Sequence, residues 1–382
     1  MRQTGRLMRG NHRLLRFTNH PGISQSHALG NLPLLASKGG ESFLTQNTML
    51  DINILRKKEL GMIAIGLHQP ILQSILDFDY LAGKKEPSLK AIVASGKKYA
   101  RFFFGKKEIL IPMYPSFEKI PADIVKTVHV FVNLTSARRT YATASQALSF
   151  FPNILGGTLF AENVTEKDSI QLFHDASLRF IIGPASVGLL IPGKLKLGAI
   201  GGTEAKQLID SHLFESGNVA IFSSSGGMTN ELISLVTRLG KRISFSLSFG
   251  GDRFPVLTPK AAFEAAEHDP ETKYIVYFGE LGGYDEYEIA ELLKQKKITK
   301  KVIAYIGGTI SEMFETPPQF GHAKAMAARG EETAKAKAQA LKEAGAQVTN
   351  SFTEFIELVK SIPSGKLNNS VETRHASSLQ LG

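Results

Sequence analysis

The sequence predicts an α/β protein of two successive domains, and three observations carry that expectation. From Gly61 onward short apolar runs alternate with helical stretches, which is the form βαβ units of a largely parallel sheet take. The alternation reaches a break near Gly202 and restarts at Asn218. At 382 residues the chain also exceeds what one core usually supports. The expected division is a basic leader at 1–50, a first domain at 51–205, a second at 206–361 and a polar tail at 362–382.

In the first block the strand candidates are Gly61–Gly66, Lys90–Val93, Val128–Val132, Asn153–Gly156 and Arg179–Ile182. The second block offers Asn218–Phe222, Tyr274–Phe278 and Lys301–Ile306. Its helix candidates are Met228–Leu239, Pro259–Glu267, Tyr284–Lys294 and Glu331–Ala344. The last is rich in alanine and lysine and stops at Gly345, a residue suited to a helix C-terminus. Between Ile306 and Gly330 runs a long loop rich in Gly, Pro and Thr, and a loop of that length inside an α/β unit is usually functional or mobile.

Composition narrows the function classes. The 43% hydrophobic and 21% charged content is that of an ordinary soluble globular protein, and no apolar run approaches the ~18 residues of a membrane span. The absence of cysteine excludes disulfides, thiolate catalysis and sulfur-bound zinc, and no metal site is expected. Of the net charge of +10, six positive charges lie in residues 1–40, which hold no acid, so the body carries about +4 and is no nucleic-acid binder. Arg2, Arg6, Arg9, Arg13 and Arg16 recur beside Leu7, Met8, Leu14, Leu15 and Phe17. That spacing resembles a mitochondrial presequence, although Gly5, Gly10 and Pro21 weaken a helix there and a plain basic tail reads equally well. A cytoplasmic protein is expected, or a mitochondrial matrix protein if the leader is a presequence.

Three segments could carry chemistry. Ser223-Ser224-Ser225-Gly226-Gly227-Met228 follows a strand and opens a helix, where free N–H groups and the helix dipole attract an anion. Glu280 stands at the carboxyl end of the strand 274–278, the edge where open α/β sheets place working residues. His322 lies in the long loop. All three come from one block and converge on its carboxyl edge. An imidazole can attack phosphorus, a carboxylate fixes its tautomer, and a helix N-terminus holds the phosphate. Ser225, Glu280 and His322 also stand in the chain order of an α/β-hydrolase triad, but without the usual first glycine of the elbow or a His-Gly-Gly oxyanion loop.

The residues further resemble the succinyl-CoA synthetase α-subunit superfamily, most closely the α-like module of ATP-citrate lyase. The resemblance covers roughly 300 residues in order, through Leu76-Asp77-Phe78-Asp79-Tyr80, Lys107-Glu108-Ile109-Leu110-Ile111-Pro112, Ile182-Gly183-Pro184-Ala185, Ser225-Gly226-Gly227-Met228, Gly250-Gly251-Asp252-Arg253, Gln319-Phe320-Gly321-His322-Ala323 and Gln339-Ala340-Leu341-Lys342-Glu343-Ala344-Gly345. It implies a Rossmann-like CoA-binding domain followed by a flavodoxin-like ligase domain. The implied activity is an ATP-dependent acid–CoA ligase, with His322 phosphorylated, Glu280 its acid, and Ser223, Ser225, Gly226 and Gly227 the phosphate cradle. Gly66, Gln73, Asn133 and Pro184 would serve CoA, with Gly66 and Gln73 in a CoA loop.

ATP, with Mg2+, would reach the histidine through a separate ATP-grasp β-like subunit in a hetero-oligomer, since nothing in the sequence resembles that module; nor does any segment resemble the citryl-CoA lyase domain. Citrate is the first substrate expected, succinate the alternative, and a catalytically impaired binding or regulatory subunit the other. The last alternative rests on departures from the family pattern. Ser224 stands where an arginine is usual, Lys324 replaces a glycine two residues after the histidine, and Ser74 takes the second glycine position of the CoA loop. Glu162-Asn163-Val164-Thr165 replaces Glu-Gly-Ile-Pro. Losing the arginine removes a bidentate phosphate contact, for which Lys324 could compensate.

Overall fold

The structure is a computed structural model describing residues 50–314, 319, 321–327 and 329–363. The expected basic leader up to residue 49 and the tail from 364 lie outside the described residues. Leu50, assigned to the leader, is buried.

The first sheet contains β1 (Gly61–Ile65), β2 (Leu89–Val93), β3 (Tyr99–Phe104), β4 (Lys107–Tyr114), β5 (Val128–Asn133), β6 (Gly156–Leu159) and β7 (Phe180–Ile182). Its order is β3-β4-β2-β1-β5-β6-β7. Leaving aside β3, which pairs antiparallel with β4 at one edge, this is the 3-2-1-4-5-6 order of the Rossmann fold. Strand β1 is buried along its whole length between β2 and β5, so its apolar run reads as a central parallel strand.

The second sheet contains β8 (Leu189–Ile191), β9 (Leu195–Leu197), β10 (Val219–Ser223), β11 (Ile243–Ser248), β12 (Tyr274–Glu280), β13 (Lys301–Gly307) and β14 (Gln347–Val348), in the order β14-β13-β12-β10-β11-β8-β9. Strands β10 to β14 are parallel in the 2-1-3-4-5 order of flavodoxin, while β8 and β9 extend one edge antiparallel. The chain thus enters its second sheet by Leu189, earlier than the expected boundary at 205.

The helices are α1 (Ile52–Lys57), α2 (Gln69–Leu81), α3 (Ala122–Thr127), α4 (Ala137–Phe150), α5 (Glu166–Ala176), α6 (Ala205–Asp210), α7 (Gly226–Arg238), α8 (Pro259–His268), α9 (Asp285–Lys294), α10 (Ala334–Glu343) and α11 (Phe352–Ser361). Helix α10 starts three residues later than expected because Thr333 caps it, its hydroxyl accepting the Ala336 amide at 3.3 Å. Strand β6 begins at Gly156 rather than at Asn153. The Asn153 amide instead donates to the Lys126 carbonyl at 2.8 Å, and the pairing with β5 starts at Gly156. Gly157 is packed on Phe131, whose ring would lie 2.5 Å from a Cβ there.

The two sheets pack as one unit. Helix α1, which precedes the first sheet, is tied to the second: the Arg56 guanidinium pairs with Asp269 and donates to the Ser244 carbonyl at 2.9 Å. Lys196 of β9, fully buried, donates to Ser74 Oγ of α2 at 2.9 Å and to the Gly198 carbonyl at 2.8 Å.

Candidate active site

In the second sheet the strand order reverses between β10 and β12, the position where open α/β sheets leave a crevice at their carboxyl edge. Strand β10 ends at Ser223, whose hydroxyl accepts the Ser225 amide at 3.1 Å. Ser225 in turn caps α7, its Oγ accepting the Met228 amide at 3.3 Å. Gly226 and Gly227 therefore form the first turn of a 13-residue helix, with the positive end of its dipole at the crevice. The turn needs glycine, since a Cβ on Gly226 would lie 2.5 Å from Val187 Cγ1.

Strand β12 delivers Glu280. Its Oε2 lies 2.7 Å from His322 Nδ1, and because a carboxylate can only accept, Nδ1 carries the proton and Nε2 the free lone pair. No hydrogen bond engages Nε2 among the described residues. The hydrogen bond to Glu280 raises the His322 pKa above its ordinary value; partial burial and Lys324 oppose this, and the Glu280 and Glu162 charges reinforce it.

Two glycines seat the histidine segment. The Ala323 amide donates to the Gly251 carbonyl at 3.1 Å, and the imidazole lies on Gly251 so closely that a Cβ there would be 2.4 Å from Cδ2. A Cβ on Gly282 would meet the Lys324 carbonyl at 1.9 Å. The sequence singled out Glu280 and His322 but gave no reason for these glycines, because their role is a close approach between segments distant in the chain.

His322 and the start of α7 face a cavity of about 320 Å³. Its walls are Ser225, Gly226, Gly227, Gly251, Asp252, Gln319 and Gly321 to Ala323 on the second-sheet side, with Ala185 to Val187 from the connection. Phe160, Glu162 and Asn163 close it from the first-sheet side. The Asp252 carboxylate clasps the two sides, accepting the amides of Asn163 and Val164 at 3.3 and 3.1 Å; burial raises its pKa, as does Glu162, against those amides and His322.

The structure separates the expected residues into those that reach the cavity and those that hold others. Ser225, Gly226, Gly227 and His322 line it. Ser223 is buried and positions Ser225 instead. Ser224 is also buried and, like Lys324, does not line the cavity. The Lys324 ammonium is paired with Asp285, 3.1 Å from its Oδ2. Burial works to lower its pKa, but Asp285, Glu280 and Glu286 outweigh that and hold it raised. Ser225 Oγ is engaged as a helix cap, and no bond joins it to His322 among the described residues, so a hydrolase triad is not assembled.

Among the residues expected to serve CoA, Gly66 closes β1 at the first sheet's own reversal point, with φ +96° and the Leu134 backbone 3.1 Å from where a Cβ would sit. Helix α2 opens just beyond with no side-chain cap at His68, and the His68 ring lies 6.2 Å from that of Phe160 on the cavity wall. Gln73 is not in a loop. Pro70 starts α2 early, and the Gln73 amide staples this helix to β3, donating to the Phe103 carbonyl at 2.9 Å and accepting its amide at 3.0 Å. Ser74 likewise lies inside α2, bonded to the Ile71 carbonyl at 2.8 Å. Asn133 is buried and used internally, donating to Thr143 Oγ1 at 2.9 Å and accepting from Thr135 Oγ1 at 2.7 Å. Pro184 is buried beside Ala185 of the cavity wall.

Residues 222–347, which hold the histidine site and most of the second sheet, match the CoA-ligase family. Beyond that match, the chain is homologous to ATP-citrate synthases. It is 38% identical over 292 residues to ATP-citrate synthase beta chain protein 1 of Oryza sativa subsp. japonica, covering 76% of this chain and 48% of that protein. Against ATP-citrate synthase of Homo sapiens the identity is 36% over 316 residues, 81% of this chain and 28% of that one. The structure of ATP citrate lyase from Methanothrix soehngenii in complex with citrate and coenzyme A superposes with a TM-score of 0.75 at 36% identity, over 82% of this chain and 50% of that one. A dinucleotide-forming acetyl-coenzyme A synthetase 1 from Ca. Korarchaeum cryptofilum shares the fold, at 16% identity and a TM-score of 0.57 over 78% of this chain and 60% of that one. The chain spans about half the length of the plant relative.

Proposed function

We propose that this chain is the phosphohistidine subunit of an ATP-dependent acid–CoA ligase, with citrate as its acid and an ATP-grasp subunit as its partner. The observation that carries this reading is the 2.7 Å bond from His322 Nδ1 to Glu280 beside the first turn of α7. It leaves Nε2 as the nucleophile and provides an anion-binding helix end on the same cavity.

In this reading Nε2 attacks the γ-phosphorus of ATP, with Mg2+ held at the partner's nucleotide site. The Nε2–P bond forms as the bond to ADP breaks, and Glu280 stabilises the positive phosphoimidazole through Nδ1–H. A carboxylate oxygen of citrate then attacks phosphorus, returning the electron pair to Nε2 and giving an acyl phosphate. The thiolate of CoA displaces phosphate from that acyl carbon. CoA fits the first domain at Gly66 and the uncapped start of α2, whose free amides suit its phosphates. Phe160 and His68 connect that edge to the histidine cavity.

The test is a reconstituted complex of this chain and the ATP-grasp protein supplied with ATP, Mg2+ and CoA. Citrate should yield a CoA thioester and ADP in equal amounts, whereas succinate should not. Thioester formation from succinate alone would assign the other acid, and none from either would overturn the ligase reading. Assembly of the complex without thioester from either acid would instead favour the impaired binding or regulatory subunit to which Ser224 and Lys324 point.

A further inference from the structure

Beneath the Glu280–His322 pair lies a network of buried polar groups that the chemistry above does not use. Lys337, on α10, is 1% exposed. Its ammonium donates to the carbonyl oxygens of Glu280 and Gly282, each at 2.6 Å, and pairs with Glu286 Oε2 at 2.5 Å. Two of its donors thus meet backbone carbonyls, and its charge is balanced by Glu286, whose Oε2 is ion-paired but makes no hydrogen bond among the described residues. Glu286, from the first turn of α9, is 2% exposed and accepts the Tyr277 hydroxyl on its other oxygen at 2.8 Å. Tyr277 belongs to β12, the strand that ends at Glu280.

The network closes around one point. Strand β12 ends at Glu280 and turns through Gly282, with φ +87°, into α9. The carbonyls held by Lys337 are the two on either side of that turn. Among the described residues the carboxylate has one tether: Oε2 meets His322, and Oε1 is buried without a hydrogen-bond partner. The position of the Glu280 carboxylate therefore depends on the backbone that carries it as well as on its bond to His322.

We infer that Lys337 is a positioning residue for the phosphohistidine site, fixing the end of β12 so that the Glu280 carboxylate meets His322 Nδ1 and keeps Nε2 free. The inference rests on the phosphohistidine reading only for its catalytic consequence, because the link from Lys337 to the His322 tautomer is measurable without turnover. The charge pair itself adds little net stability over neutral replacements of similar size, although removing the ammonium also leaves the Glu280 and Gly282 carbonyls without their donor. That leaves orientation as the distinctive service of this pair.

The experiment uses the full chain with 15N-labelled histidine, reading the tautomer and pKa of His322 by NMR. In wild type, Nδ1 should be protonated and the pKa raised. The double variant K337M/E286Q neutralises both partners and leaves Tyr277 an acceptor. In the folded double variant the His322 pKa should fall from its raised position and the Nε2–H tautomer should appear. Phosphate incorporation from ATP with the ATP-grasp partner should fall roughly 10²-fold, the cost of a small misplacement. Tyr277→Phe deletes a single oxygen from the network and supplies a milder variant that should fold even if the double one does not. It should move His322 the same way by less. A folded double variant, or failing that Tyr277→Phe, in which His322 titrates and tautomerises as in wild type would overturn the inference. If His322 responds as expected but wild type takes no phosphate from ATP and the partner, the positioning role stands and the phosphohistidine reading falls.

Discussion

In the proposed mechanism His322 attacks phosphorus only as the free base, yet the bond to Glu280 raises its pKa, so nucleophile and orienting group pull in opposite directions. A raised value means the proton is retained further into the neutral range. The phosphorylation rate should therefore climb as pH rises through the raised pKa and level off above it, in a pH–rate profile of label incorporation. Glu280→Gln should move that climb to lower pH while reducing the plateau by about 10² or more, the range for a lost acid–base partner. At Gly251 the relevant force is steric. The Cβ of Gly251→Ala would press on the imidazole, and a displaced ring should lose roughly 10² in phosphorylation rate with little change in thermal midpoint.

At the scale of elements, α2 and β9 meet through a buried cation. Burial lowers the Lys196 pKa from 10.5 to about 7, with Asp77 and Asp79 pulling the other way. The unfolded chain thus binds the extra proton between about pH 7 and 10.5. Stability from this residue should rise as pH increases from about 7 and be lost as pH falls back through it. Chemical denaturation at pH 7 and pH 9 should show wild type gaining more than Lys196→Met, by on the order of a few kcal/mol at most; equal pH dependence in both would contradict the assignment.

Elements were legible where their residues were apolar and contiguous. Strands β1, β5, β10, β12 and β13 appear as largely apolar runs, because they are flanked by strands on both sides and mostly buried. Strand β11, Ile243-Ser244-Phe245-Ser246-Leu247-Ser248, was not legible although it is fully buried. Its serines look exposed in sequence but are satisfied internally, with Ser246 donating to the Ile221 carbonyl at 3.0 Å and Ser244 paired with Thr272 at 2.6 Å. Strands β8 and β9, a short antiparallel pair joined by the turn at Pro192-Gly193-Lys194, were missed because they break the alternation of strand and helix that marks the two blocks. The site divides in the same way. Glu280, His322 and the turn at Ser225 announced themselves by residue type at strand ends, whereas Gly251, Asp252, Lys196 and Lys337 act through contacts across the fold. Gln73 and Ser74 were misplaced because Pro70 was not recognised as the first turn of a helix.

At the scale of the whole molecule, the cavity takes its walls from both sheets, and Asp252 is the clasp between them. Asp252→Ala should leave phosphorylation of His322 within about threefold of wild type, since it touches neither Nδ1 nor the helix end. Thioester formation should drop by about 10², because that step uses both sides of the cavity. Single-turnover kinetics would separate the two steps, and equal losses in both would contradict this division. The most direct measurement is the position of the phosphate itself. After a brief reaction of a complex of this chain and the proposed ATP-grasp partner with γ-labelled ATP and Mg2+, acid-labile label should lie on His322 Nε2. It should leave on addition of citrate and CoA and be absent in His322→Ala. Label unchanged in that variant, or turnover of citrate and CoA without label on His322, would contradict the phosphohistidine mechanism.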